Sequence, residues 1–140
     1  MSILKKILII DDDETTCYLN KIFLEEMQVT EDVECLLNAD EAFTYLKNLC
    51  SGGSYDESGP DLILLDINMP IMNGFELLEK VKQLERVGEL CAQRIIMYTS
   101  SIHPRDVERA NKLGVLAYVQ KPLTEHKLKS VMEAYHKQAS

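Results

Sequence analysis

The sequence predicts an α/β fold: one doubly wound parallel sheet of five strands, with helices on both faces. Three observations predict it. Short continuous apolar runs, Ile7-Leu8-Ile9-Ile10 and Leu62-Ile63-Leu64-Leu65, have the character of strands covered on both sides. Between such runs lie segments whose apolar residues recur at helical spacing, so strand and helix alternate five times. The connections are short, and strands joined this way run parallel through right-handed crossovers.

The elements follow in order. The first strand is Ile7 to Ile10. Asp13 or Glu14 opens the first helix, whose core face is read as Leu19, Ile22, Phe23 and Met27. Val33 to Leu37 is the second strand. Asn38 then caps a helix lined by Ala39, Ala42, Phe43, Leu46 and Leu49. Ser51 to Pro60 is rich in Gly, Ser, Pro and acid and lacks periodicity, so it reads as an exposed loop, long for this kind of connection. Asp61 to Asp66 is the third strand. Asn73-Gly74 breaks the chain before a helix carrying Leu77, Leu78, Val81 and Leu84. Arg94 to Tyr98 is the fourth strand. Pro104 suits the first turn of the fourth helix, Val107, Ala110 and Leu113 form its inner face, and Gly114 stops it. The fifth strand is Ala117 to Val119. Thr124 caps the last helix, with Leu128, Val131, Met132 and Tyr135 inward and Leu123 stapled to Leu128.

Composition narrows the function. The 140 residues fit one domain, 1–140 with its core in about 5–137, and 46% apolar residues suffice for a core. No apolar run is long enough to span a bilayer, and the N-terminus lacks a signal-peptide pattern, so a cytoplasmic protein with no membrane contact is expected. A net charge of −8 argues against direct nucleic-acid binding. Cys17, Cys35, Cys50 and Cys91 have no paired spacing and are expected to be free and reduced. His103, His126 and His136 lack ligand spacing and are assigned to the surface.

The chemistry gathers at strand ends, where open α/β sheets bind ligands. Asp11 and Asp12 follow strand one, Asp66 and Asn68 strand three, Thr99, Ser100 and Ser101 strand four, and Lys121-Pro122 strand five. Carboxylates at the ends of neighbouring buried strands cannot all stay ionised without a cation. Oxygen donors suit magnesium, with manganese as the alternative. Asp12 and Asp66 are the direct carboxylates, the Asn68 backbone carbonyl reaches the same ion, and Asp11 holds a water ligand. With the repulsion between anions screened, Asp66 accepts a phosphoryl group as an acyl phosphate. Lys121 supplies positive charge to the phosphoryl oxygens and the Thr99 hydroxyl donates to another.

Ile10-Asp11-Asp12, Leu65-Asp66-Ile67-Asn68-Met69-Pro70-x-x-x-Gly74, Tyr98-Thr99-Ser100 and Tyr118-Val119-Gln120-Lys121-Pro122 together resemble a response-regulator receiver domain of two-component signalling, of the chemotaxis-regulator type, over about Lys5 to Lys137. The resemblance implies a flavodoxin-like (βα)5 sheet of strand order 2-1-3-4-5. It implies Asp66 as phosphoacceptor, charged by a sensor histidine kinase or a histidine phosphotransfer protein. Asp11, Asp12, Asp66 and the Asn68 carbonyl become the magnesium site. Thr99, Ser100 and Lys121 bind the phosphoryl group, and Thr99 with Tyr118 forms a switch pair. It also implies a cis Lys121-Pro122 peptide and an output face of helix four, strand five and helix five, with a homodimer through that face as an option. The long Ser51–Pro60 loop resembles that of some stand-alone receivers linked to phytochrome-type kinases. No output domain is expected after Ser140.

Plainer readings stand beside these. Asp13 is a helix-start residue rather than a third ligand. Ser100 and Ser101 only solvate or cap their loop, Met69 and Met72 pack it, and Gly74 is a turn residue. A rival function also exists. Asp11-x-Asp13-x-Thr15 fits the nucleophile motif of haloacid-dehalogenase-type phosphatases, with Asp11 as nucleophile and Asp13 as general acid. Against it, the chain is short for that fold and the Asp66–Gly74 motif is left without a role. A degenerate receiver that never takes phosphate is the third reading; every residue the chemistry needs is nevertheless present.

Overall fold

The computed structural model describes residues 3–49, 59–83 and 91–139. Strands β1 (Ile7–Ile10), β2 (Val33–Leu36), β3 (Leu62–Asp66), β4 (Ile95–Thr99) and β5 (Ala117–Gln120) alternate with helices α1 (Glu14–Glu26), α2 (Ala39–Leu49), α3 (Gly74–Lys82), α4 (Pro104–Leu113) and α5 (Glu125–Ala139). All strand pairs are parallel and the order is β2-β1-β3-β4-β5, the doubly wound sheet expected.

Alternation along the strands divides the core in two. Leu8, Ile10, Ile63 and Leu65 point to one face and meet Ala42 and Leu46 of α2, Leu77, Leu78 and Val81 of α3 and Ala110 of α4. Ile7, Ile9, Leu62 and Leu64 point to the other and meet Cys17 and Leu24 of α1 and Leu128, Val131 and Met132 of α5. Both clusters are continuous, so the strand ends that carry the polar residues have a rigid base. Among the described residues no helix is long and apolar enough to cross a membrane.

The capping residues behave as their chemistry dictates. Asp13 accepts from the backbone N–H groups of Thr15 and Thr16, Asn38 from Glu41, and Thr124 from Lys127. Asn73 and Glu76 close a reciprocal capping box on α3, a signal present in the sequence but not used there. His103 caps α4, and Gly114 ends it with left-handed backbone at φ 79°.

Several readings need correction. Leu19 is 59% exposed, as Tyr18 is 62%; the buried residues of α1 are Cys17, Asn20 and Leu24, with Phe23 and Met27 packed against the same core as read. Polar groups occupy that face because they are bonded there: the Cys17 thiol donates to the Asp11 carbonyl and the Asn20 amide to the Tyr98 hydroxyl. His136 is half-buried, its ring edge-on to Tyr135, because the end of α5 packs beside Met27 and Val29. Gly59 and Pro60, read as exposed loop, are buried where the chain re-enters the sheet and Arg94 reaches the Pro60 carbonyl. Cys17 and Cys35 carry no disulfide. Leu84, Cys50 and residues 51–58 of the long loop lie outside the described residues.

Candidate functional site

Register places the site. Ile10 pairs with Leu65, so the next residues, Asp11 and Asp66, leave adjacent strands side by side. Asp11 is 1% exposed and Asp66 2%, while Asp12 stands in solvent at the rim. One carboxylate oxygen from each of Asp11, Asp12 and Asp66 lies within 4.8 Å of the others. From β5, the Lys121 Nζ comes to 3.3 Å from both Asp11 Oδ2 and Asp66 Oδ1. The Lys121-Pro122 peptide is cis.

The electrostatics explain the constellation. Burial pushes the Asp66 carboxyl up to about 6, and the neighbouring Asp11 adds to it; Lys121 and the Asn68 backbone N–H pull the other way without winning. Burial also lowers Lys121, but Asp66 and Asp11 more than offset it and hold the ammonium above the ordinary lysine range. Three carboxylates against one ammonium leave a formal excess of two negative charges. Hard oxygen donors carrying that excess suit a small divalent cation of the magnesium kind.

Around this centre the hydrogen bonds are short-range and specific. The Asn68 backbone N–H donates to Asp66 Oδ1 at 3.2 Å, and the Asn68 amide to Thr99 Oγ1 at 3.4 Å. Thr99 is buried, and its hydroxyl also donates to the Ser101 carbonyl at 3.2 Å. Ser100 is exposed, and what it contributes is its carbonyl, which accepts from the Gln120 amide. Tyr118 lies half-buried with its hydroxyl enclosed and held at most weakly, by the His103 backbone; burial first and Asp106 second raise its pKa, and His103 opposes them. Thr99 and Tyr118 therefore sit on neighbouring strands, one tied to the site and the other only weakly held. Met69 is buried and Met72 packs against the same core cluster, as read from the sequence.

Asp13 does not join the centre. Its carboxylate is spent on the start of α1, bonding Thr15 N, Thr16 N and the Thr16 hydroxyl. That removes the general acid of the phosphatase reading, and nothing else in the fold supports that reading.

Three residues have roles that the sequence reading did not assign, although Tyr98 and Gly74 stand in the quoted motifs. Tyr98 is 2% exposed; its hydroxyl accepts from the Leu123 N–H at 3.2 Å and from Asn20 at 3.4 Å, and its ring lies 5.1 Å beneath the Lys121 Nζ. It ties α1 to the segment that delivers the lysine, and an aromatic with a polar handle at a buried strand end was the available clue. Asn20 is the second, a polar residue on an inward helical face. Gly74 is the third. It is not at a left-handed turn but at the first turn of α3, where an added Cβ would stand 2.5 Å from the Asp66 carbonyl oxygen. Only glycine lets α3 begin so close to the end of β3. In the loop between, Ile71 is fully exposed at φ 70°.

Comparison with known proteins agrees with this geometry. The model of the response regulator receiver domain family matches residues 7–133. The chain is 34% identical over 128 residues to the chemotaxis protein CheY of Pseudomonas aeruginosa, covering 91% of this chain and 93% of that one. It is 29% identical over 137 residues to hybrid signal transduction histidine kinase L of Dictyostelium discoideum, covering 96% of this chain but 7% of the kinase. Among solved structures, a two-component response regulator from Cytophaga hutchinsonii superposes with a TM-score of 0.82 at 28% identity, covering 97% and 99% of the two chains. The chain belongs to the response regulator receiver domain family.

Proposed function

We propose that this receiver accepts a phosphoryl group on Asp66 and signals through a change in its protein contacts. The donor is the phosphohistidine of a sensor histidine kinase or of a histidine phosphotransfer protein, in the cytoplasm. The observation that carries the reading is the position of the Asp66 carboxylate: buried, beside two further acids, and 3.3 Å from Lys121.

In the transfer, an Asp66 carboxylate oxygen forms a bond to phosphorus. The phosphorus–nitrogen bond to the donor imidazole breaks, and its electron pair stays on that nitrogen. The product is a mixed anhydride. A bound magnesium, or manganese in its place, would supply neutralising charge for the phosphoryl oxygens and help bring the two anions together. Asp12, Asp66 and the Asn68 carbonyl would hold it directly, with Asp11 acting through a water. Lys121, already between Asp11 and Asp66, turns to the new phosphoryl oxygens. The Thr99 hydroxyl leaves Ser101 for the phosphoryl group, and Tyr118, only weakly held where it lies, follows into the space behind it. The face of α4, β5 and α5 changes shape, a two-state equilibrium biased by a covalent charge. A partner protein reads that face, or the phosphoryl group passes on to another histidine. Loss of phosphate to water at the same site resets the domain.

Intact-protein mass spectrometry tests this. Wild type incubated with acetyl phosphate and magnesium is expected to gain one phosphoryl group. Asp66→Asn and chelator-treated wild type are expected to gain none. An adduct that survives in Asp66→Asn would return the phosphatase reading. No adduct in wild type, together with no binding of beryllofluoride, would make the domain a receiver that does not take phosphate.

A further inference from the structure

Lys121 stands just past the end of an edge strand. β5 pairs with β4 alone, and the last backbone bond between the two chains runs from the Lys121 N–H to the Thr99 carbonyl at 2.6 Å. Pro122, next along, has no N–H to donate. From there side chains hold the segment. The Tyr98 hydroxyl accepts from the Leu123 N–H at 3.2 Å and from the Asn20 amide at 3.4 Å. From the first turn of α5, the half-buried Lys127 donates its ammonium to the Gln120 carbonyl at 2.8 Å and to the Pro122 carbonyl at 3.1 Å, one on each side of Lys121.

We propose that Tyr98 and Lys127 are positioning residues for phosphoryl transfer, clamping the segment from Gln120 to Leu123 so that the Lys121 ammonium stays over Asp66. The inference rests on the reading of Asp66 as phosphoacceptor. A lysine has a long, flexible stem, and its ammonium is a compact point charge with no fork to fix its direction. Its place is therefore set by where the backbone starts the side chain and by what lies beneath it. The clamp sets the first. The Tyr98 ring, 5.1 Å from the Lys121 Nζ, sets the second. Placement matters because a misalignment of about 1 Å in a reacting group can cost about a hundredfold in rate. Lys127 takes no part in the chemistry itself: its ammonium is spent on two carbonyls of the segment. Tyr98 is buried and acts from β4, Lys127 from α5, so the two hold the lysine from separate elements.

Two measurements on the full chain test this. The first is the rate of phosphorylation by phosphoramidate with magnesium, followed by intact mass. Tyr98→Phe, which keeps the ring, and Lys127→Met are each expected to slow uptake about three- to tenfold, the worth of about one hydrogen bond. Neither is expected to slow it further when combined with Lys121→Ala, read over longer times. The second is proton NMR of the metal-free protein. The Lys121 ε-methylene protons, identified by their loss in Lys121→Ala, are expected upfield of other lysines because they lie over the Tyr98 ring. Both variants are expected to move them back toward the ordinary lysine position. Circular dichroism confirms that the variants fold. Uptake within about twofold of wild type in either variant overturns the clamp, as do lysine signals that do not move. So does a loss that persists undiminished in the Lys121→Ala background, since the residue would then act on the fold and not through the lysine. A wild type that takes no phosphoryl group fails the phosphoacceptor reading instead, and the lysine signals then decide the clamp by themselves.

Discussion

Neutralising the phosphoacceptor should stabilise the metal-free fold. Asp66 is held at about 6, against 3.8 for a free aspartate, chiefly because burial penalises its charge and Asp11 adds repulsion. Between those values the native state keeps the proton and the unfolded chain has lost it. Stability from this group is therefore present at low pH and is lost as pH rises from about 4 to about 6. At roughly 1.36 kcal/mol per pH unit, the full loss by neutral pH is about 3 kcal/mol. An amide in place of the carboxyl has the shape of the protonated acid and keeps the Asn68 N–H as a donor to its carbonyl, so Asp66→Asn should avoid that loss. Urea unfolding followed by far-UV circular dichroism suits a chain without tryptophan. In chelator, the variant should match wild type near pH 4 and exceed it by about 1–3 kcal/mol at pH 7. Magnesium at about 100 times its Kd should return about 2.7 kcal/mol to wild type and little to the variant, closing or reversing the gap. A gap that is absent at pH 7, or that shrinks as pH rises, would refute the electrostatic account of the site.

Two further outcomes follow from packing. Gly74→Ala drives a methyl group into the Asp66 carbonyl at 2.5 Å, so β3 and α3 must part; a loss of about 1–3 kcal/mol and slower phosphoryl uptake are expected, and unchanged stability in urea would show that the contact is soft. On α1, Leu24→Ala should cost about 2–5 kcal/mol and Leu19→Ser less than about 0.5; comparable costs would mean that the helix face has been assigned wrongly.

What was legible in the sequence, and what was not, has a physical pattern. The strands could be read because a run such as Leu62-Ile63-Leu64-Leu65 is too apolar for any surface and too short for a buried helix, and register then follows from parallel pairing. The site could be read for the opposite reason. Asp66, Asp11 and Lys121 at the ends of such strands are costly to bury, so they have no comfortable structural role, and the fold indeed brings Lys121 within hydrogen-bonding reach of both carboxylates. The face of α1 escaped because hydropathy ranks leucine above cysteine and asparagine for burial. It cannot know that the Asp11 carbonyl and the Tyr98 hydroxyl are waiting for a thiol and an amide.

That failure and the gathering of charge at the strand ends have one source. The inner face of α1 is polar because it abuts the strand ends where charge is gathered, and Asn20 and Tyr98 belong to the scaffold that holds Lys121 over the carboxylates. A buried amide there gives up apolar burial, a cost of about 1–3 kcal/mol if its hydrogen bonds were lost. It gains a fixed link between α1, β4 and the segment after β5. The apolar side chains displaced from the core, Tyr18 and Leu19, lie on the outside of the same helix, immediately after the loop that carries Asp12. The departure from simple amphipathic order in α1 is thus where the demands of the site override those of the core.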